Sequence, residues 1–176
     1  MYTSNAHKWL CAPKGSAFLY ARRDVQHLVE PLVVSWGYES EKPSASRFVN
    51  EQEWTGTRDF AAYLTVSEAI RFCEENHWDE VRLRCHALAQ SAREGITAFT
   101  SLPPVSPDSM DWYMQMVTVP LPPCDALQFK ARLYDEFRIE LPIVVWHDKP
   151  YIRVSIQAYN TREDVEKLIE VLQKLM

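Results

Sequence analysis

Between Trp78 and Phe99 the residues Trp78, Val81, Cys85, Leu88, Ala92, Ile96 and Phe99 recur at spacings of three and four. This is the stripe of a long amphipathic helix, and such a stripe must be laid on another apolar surface. The downstream chain offers one. Trp112 to Leu121 alternates as a strand and closes at Pro122-Pro123, and Cys124 to about Ile139 reads as a helix. Glu140 to Trp146 and Tyr151 to Tyr159 read as an antiparallel hairpin around His147-Asp148-Lys149-Pro150. In its second arm Ile152, Val154, Ile156 and Ala158 face one way, and Arg153, Ser155, Gln157 and Tyr159 face the other. Thr161 is a helix N-cap with Asp164 three residues on, and Val165, Leu168, Ile169 and Leu172 give the last helix a buried face. Strand, helix, strand, strand, helix is a compact α+β unit.

The upstream chain is less regular. Residues 16–22 read as a short buried strand after a Pro13-Lys14-Gly15 turn, and Val29 to Trp36 is an apolar run broken by Pro31. Residues 37–57 read as a long irregular loop, and Asp59 to about Asn76 as a helix. Leu102-Pro103-Pro104 ends the long helix and opens a linker to Ser109.

Composition narrows the partners. The 176 residues are 47% hydrophobic and 24% charged, which excludes a disordered or low-complexity chain. Only 4 are glycine against 11 proline, where average usage gives roughly a dozen glycines. A glycine-rich phosphate loop is thereby excluded, so a phosphate here must be held by side chains and ordinary helix ends. The net charge of -5 comes without a basic stripe, so no nucleic-acid partner is expected. Cys11, Cys73, Cys85 and Cys124 form no C-x-x-C pair and read as reduced thiols of a cytoplasmic protein. His7, His27, His77, His86 and His147 lack metal-ligand spacing, so no metal is expected. No apolar run reaches signal-peptide or membrane-span length, so no membrane partner is expected.

Three segments carry chemistry. The first is Asn5-Ala6-His7-Lys8-Trp9-Leu10, followed by Cys11-Ala12-Pro13-Lys14-Gly15 and a strand. The second is Trp54-Thr55-Gly56-Thr57-Arg58-Asp59, just before a helix. The third is Tyr151-Ile152-Arg153-Val154-Ser155, followed by Tyr159-Asn160-Thr161-Arg162-Glu163-Asp164. In this order they resemble the class V aminotransferase family of fold-type I pyridoxal-phosphate enzymes, and most of all its isopenicillin N epimerase-like group. The resemblance implies that Lys8 is the Schiff-base lysine and that Asn5 and His7 sit beside the cofactor phosphate. It implies that Gly56 and Thr57 reach a phosphate across a dimer interface, and that Arg153 holds the substrate carboxylate. The residue types suit these roles: an amine can carry the cofactor and move a proton, amide and hydroxyl groups can donate to phosphate, and a planar guanidinium grips a carboxylate at two points.

The family carries a large domain upstream of the lysine, and only seven residues precede Lys8 here. The chain therefore reads as the C-terminal small domain of such a fold plus a fragment of the large α/β domain. The expected division is a large-domain remnant at 1–58, connecting helices at 59–108 and a small α+β domain at 109–176. Residues 1–57 should be poorly ordered, rearranged or buried against another chain, because the sheet they belong on is missing. The implied function is action at the Cα of an amino-acid substrate, as an epimerase or aminotransferase, with a homodimer or a separate N-terminal half as partner. The isolated chain is expected to lack efficient activity. A desulfurase is disfavoured, since residues 125–152 hold no cysteine to act as nucleophile. The alternative is a non-catalytic dimerisation or partner-binding module derived from such an enzyme.

Overall fold

The computed structural model describes residues 1–176, which divide into two compact units, Met1–Asn76 and His77–Met176.

The first unit opens with β1 (Tyr2–Asn5) and β2 (Ala17–Tyr20), an antiparallel ribbon in which Asn5 pairs with Ala17 and Tyr2 with Tyr20. The ribbon stops at two strands, so Phe18, Leu19 and Tyr20 stay exposed. This corrects the expectation of a buried strand at 16–22: apolar strand residues are buried only where a further layer covers them. A 3-10 turn (Arg23–Leu28) follows, and the apolar run after it forms no regular element. The stretch 37–57, expected to be loop throughout, contains α1 (Arg47–Glu53). The Ser46 hydroxyl caps α1 by accepting from the Val49 amide at 3.2 Å. Gly37 is packed so closely on α1 that a Cβ would collide with the Asn50 carbonyl. The helix expected over 59–76 is two, α2 (Ala61–Leu64) and α3 (Val66–Glu75). At the break the Thr65 hydroxyl bonds back to the Ala61 and Ala62 carbonyls, a local competitor of the helix ladder.

The second unit is built on α4 (Trp78–Thr100), whose buried positions Val81, Cys85, Ala89, Ala92 and Ile96 hold the expected stripe. It packs on a three-stranded antiparallel sheet and on α6 (Arg162–Leu175). The sheet order is β3-β5-β4, with β3 at Met116–Pro120, β4 at Ile143–Trp146 and β5 at Lys149–Ser155. The sheet's core face buries Val117, Val119, Ile152 and Val154, joined from the helices by Leu133, Leu168 and Leu172. Each such side chain contributes about 1.5–3 kcal/mol relative to leaving it in water. α5 (Ala126–Phe137) links β3 to β4, capped by Asp125, which accepts from the Leu127 and Gln128 amides at 3.0 Å each. The β4–β5 turn places His147 and Asp148 at φ 47° and 59°, the two-residue hairpin geometry here met without glycine. The capping box at Thr161 and Asp164 is present with both of its bonds.

Candidate functional site

Asn5, His7 and Lys8 share one turn. β1 ends at Asn5, and the chain bends where the Lys8 amide donates to the Asn5 carbonyl at 3.4 Å and the Cys11 amide to the Lys8 carbonyl at 3.2 Å. The turn is locked from below. Ala6 is buried, its amide donates to the Ser16 carbonyl at 3.0 Å, and its carbonyl accepts from the Ala12 amide at 3.1 Å. Ser16, fully buried, donates through its hydroxyl to the Pro13 carbonyl at 2.9 Å. Gly15 supplies the left-handed φ of 98° that lets the loop return to β2. Lys8 stands exposed on this base, with no ion pair through its ammonium.

His7 is half-buried, with Nδ1 3.3 Å from the Ser16 carbonyl. A carbonyl only accepts, so Nδ1 is the donor of that pair. Nε2 can then donate to an anion only when the ring carries both protons. The turn thus offers an amide, an imidazole and an ammonium, and no carboxylate.

Gly56 and Thr57 follow α1. Gly56 takes a φ of 90°, which an L side chain rarely adopts, and Thr57 is exposed. Beside them the Thr55 Oγ1 is buried without a hydrogen-bond partner, a polar atom left wanting a donor or acceptor. The Arg58 guanidinium lies 5.0 Å over the Tyr63 ring and 5.6 Å over Phe60, and the Asp59 carboxylate is taken by the Ala61 amide at 2.8 Å. A positive φ, free amides, hydroxyls and a spoken-for carboxylate suit an anion such as a phosphate. No hydrogen bond links this segment to the Lys8 turn.

Arg153 belongs to the second unit. It lies on the central strand β5, its amide donating to the Pro142 carbonyl at 3.1 Å. Its side chain is on the solvent face, between the buried Ile152 and Val154, and its guanidinium forms no ion pair or hydrogen bond.

A polar cluster in the second unit escaped the sequence reading. Arg93, only 9% exposed, donates to the Ser106 carbonyl at 2.9 Å and lies 3.5 Å from the Asp108 carboxylate. Asp108 also accepts from Gln90 at 2.9 Å and from the Tyr113 hydroxyl. The Tyr113 and Gln90 hydrogen bonds hold the Asp108 carboxyl below the usual range. Burial and the Asp108 bond push the Tyr113 phenol up to about 12. The His86 ring leans tilted against Tyr113 with ring centres 5.0 Å apart, and it meets the Met114 carbonyl at 3.1 Å. The cluster fastens the proline-rich segment after α4 to the helix flank. Its partners lie five to 28 residues apart, a spacing with no local signature in the sequence.

Cys73 and Cys85 are buried. Burial raises the Cys85 and Cys124 thiols, which keeps them protonated and unreactive. No helix is long and apolar enough to cross a membrane.

Against known proteins, the family model described as aminotransferase class-V matches residues 1–168. An isopenicillin N epimerase of Amycolatopsis lactamdurans is 37% identical over 184 residues, covering 99% of this chain and 46% of that enzyme. A putative L-cysteine desulfhydrase of Oryza sativa subsp. japonica is 33% identical over 207 residues, covering 99% and 40% respectively. The cysteine desulfurase CsdA of Escherichia coli shares the fold, with a TM-score of 0.70 at 18% identity, over 99% of this chain and 46% of that one. The chain spans about half the length of the curated relatives it matches.

Proposed function

The chain belongs to the aminotransferase class-V family, and from that premise we propose that it bears the lysine and the carboxylate clamp of a pyridoxal-phosphate enzyme acting at the Cα of an amino acid. Pyridoxal phosphate, when bound, supplies the electron sink that lets a Cα proton leave. Lys8 is the amine that carries the cofactor and moves that proton. Asn5 and His7 hold the phosphate from the same turn. Gly56 and Thr57 offer a second set of donors, and the dimer is the assembly in which they serve a partner's phosphate. Arg153 takes the substrate carboxylate. The observation that carries this reading is the order of the three segments within one match running over residues 1–168.

Epimerisation is the favoured outcome, because the isopenicillin N epimerase is the more similar of the two relatives described. Lys8 then serves one face of Cα, and the base for the other face lies outside the residues assigned.

The test is borohydride reduction after cofactor addition, with peptide mapping. The chain is labelled alone and again when co-expressed with the upstream portion of a full-length relative. Label concentrated at Lys8, and lost in Lys8→Ala, is the expected result. Label spread evenly over Lys14, Lys42 and Lys149 would overturn it. A second reading, a non-catalytic module for dimerisation or partner binding, is favoured by the exposure of Leu32 and Trp36, the latter 86% exposed. No label in either arm, with a concentration-dependent dimer in sedimentation, would select that module.

A further inference from the structure

The sheet of the second unit covers its core with one face and leaves the other open. Register says which side chains share the open face. On β5 they are Lys149, Tyr151, Arg153 and Ser155, alternating with the buried Pro150, Ile152 and Val154. Thr118 lies directly opposite Arg153 on β3, Val144 opposite Tyr151 on β4, and Trp146 opposite Lys149. The face therefore has two ends. Arg153 and Thr118 give one end a cation and a hydroxyl. Tyr151, Val144 and Trp146 give the other an apolar surface, with Val144 46% and Trp146 65% exposed.

The charge on this face is unmatched. Arg132 and Arg162 in the same unit are paired with Glu136 at 2.9 Å and Glu166 at 2.7 Å. Arg153 has no such partner. A free guanidinium beside an exposed apolar surface complements a carboxylate attached to an apolar body.

We propose that this open face reads the substrate's side chain as well as its carboxylate, and selects an amino acid with an apolar side chain of about four or five carbons. Arg153 and Thr118 receive the carboxylate. Tyr151 is two residues along the strand, about 7 Å away, and Val144 is one strand spacing further, about 4.8 Å. A chain of four or five carbons spans that distance, while Lys149 lies about 13 Å from Arg153 and beyond its reach. The inference rests on the assignment of Arg153 to the substrate carboxylate.

Acetate and hexanoate separate the two claims. Each is titrated into the isotope-labelled chain while backbone amide resonances are followed. Both should shift Arg153 and Thr118. Hexanoate alone should also shift Val144 and Tyr151, which lie within its reach, and bind at least about tenfold tighter. The variant Val144→Ser should bring hexanoate down toward the acetate affinity, with α4 resonances unchanged as proof of folding. Arg153→Gln should abolish both. Equal affinities for acetate and hexanoate, both lost in Arg153→Gln, would overturn the apolar wall and leave the carboxylate clamp standing. Absence of any Arg153-dependent shift with either probe would overturn both.

Discussion

The two units handle apolar side chains in opposite ways. In His77–Met176 the stripe of α4, the inner rows of the sheet and the inner face of α6 converge on one buried cluster. In Met1–Asn76 the buried apolar residues are Ala6, Ala12, Ala21 and Cys73, all small, while Leu32, Val34 and Trp36 stand in solvent. The difference is one of layers. A strand or helix can hide a face only where a second layer lies on it, and β1–β2 is a lone ribbon. The chemistry divides differently. The donors that suit a phosphate ride on turns of the weakly covered unit, and Arg153, the residue proposed to hold a carboxylate, rides on the central strand of the well-covered one.

The largest effect expected of this contrast is in the core. Leu133→Ala, at a fully buried site, should cost about 2–5 kcal/mol in denaturant unfolding. Trp36→Ala should move stability by less than about 0.5 kcal/mol, despite the larger side chain removed. A comparable loss at both sites would break the contrast.

Two glycines sharpen it next. A Cβ at Gly37 meets the Asn50 backbone carbonyl, which cannot move without shifting α1. A Cβ at Gly95 meets the outer end of the Ile169 side chain, which can turn aside. Gly37→Ala should therefore cost about 1–3 kcal/mol, and Gly95→Ala less than about 1 kcal/mol, since alanine also favours the helix. The readout is local: hydrogen exchange over α1 for the first, and over α6 for the second.

Thr161→Ala removes the hydroxyl that accepts from the Asp164 amide at 3.3 Å, and should cost about 1 kcal/mol of second-unit stability. The smallest effect is a pH slope. Tyr113 has its folded pKa raised to about 12 by burial and by Asp108, so the folded state keeps a proton that the unfolded chain releases near 10. Its contribution is fully present below pH 10 and is lost as pH rises toward 12. Tyr113→Phe should flatten that part of the stability profile, and an unchanged slope would remove Tyr113 from the account. Asp108 acts at the other end. Its lowered pKa gives a contribution that fades as pH falls through the acid range.

The legible parts of the fold were those where local period and tertiary burial agree. The α4 stripe, the β4–β5 hairpin and the Thr161 capping box all announce themselves within a few residues. The strand β1, Tyr-Thr-Ser-Asn, is too short and polar to show a period. α1 sits among serines and prolines, and its one local cue was Ser46 three residues before Val49. The buried reading of residues 16–22 failed because composition marks a strand but not whether anything covers it. Of the candidate site, resemblance named Lys8, His7, Asn5, Gly56, Thr57 and Arg153. The Arg93–Asp108–Tyr113 cluster lay hidden because its members meet across a linker. The open-face row needed the strand register, which no single strand carries.

That register has a consequence for how the protein guards against error. On β5 outward and core residues alternate, so a slip of one position would swap Arg153 with Ile152 or Val154. A bare guanidinium would be driven into the apolar interior, at a cost of several kcal/mol, and two aliphatic groups would be cast into water. Arg153, the proposed clamp, thus doubles as a proofreader of strand alignment: a misthreaded chain is unstable and at the same stroke loses its outward-facing guanidinium.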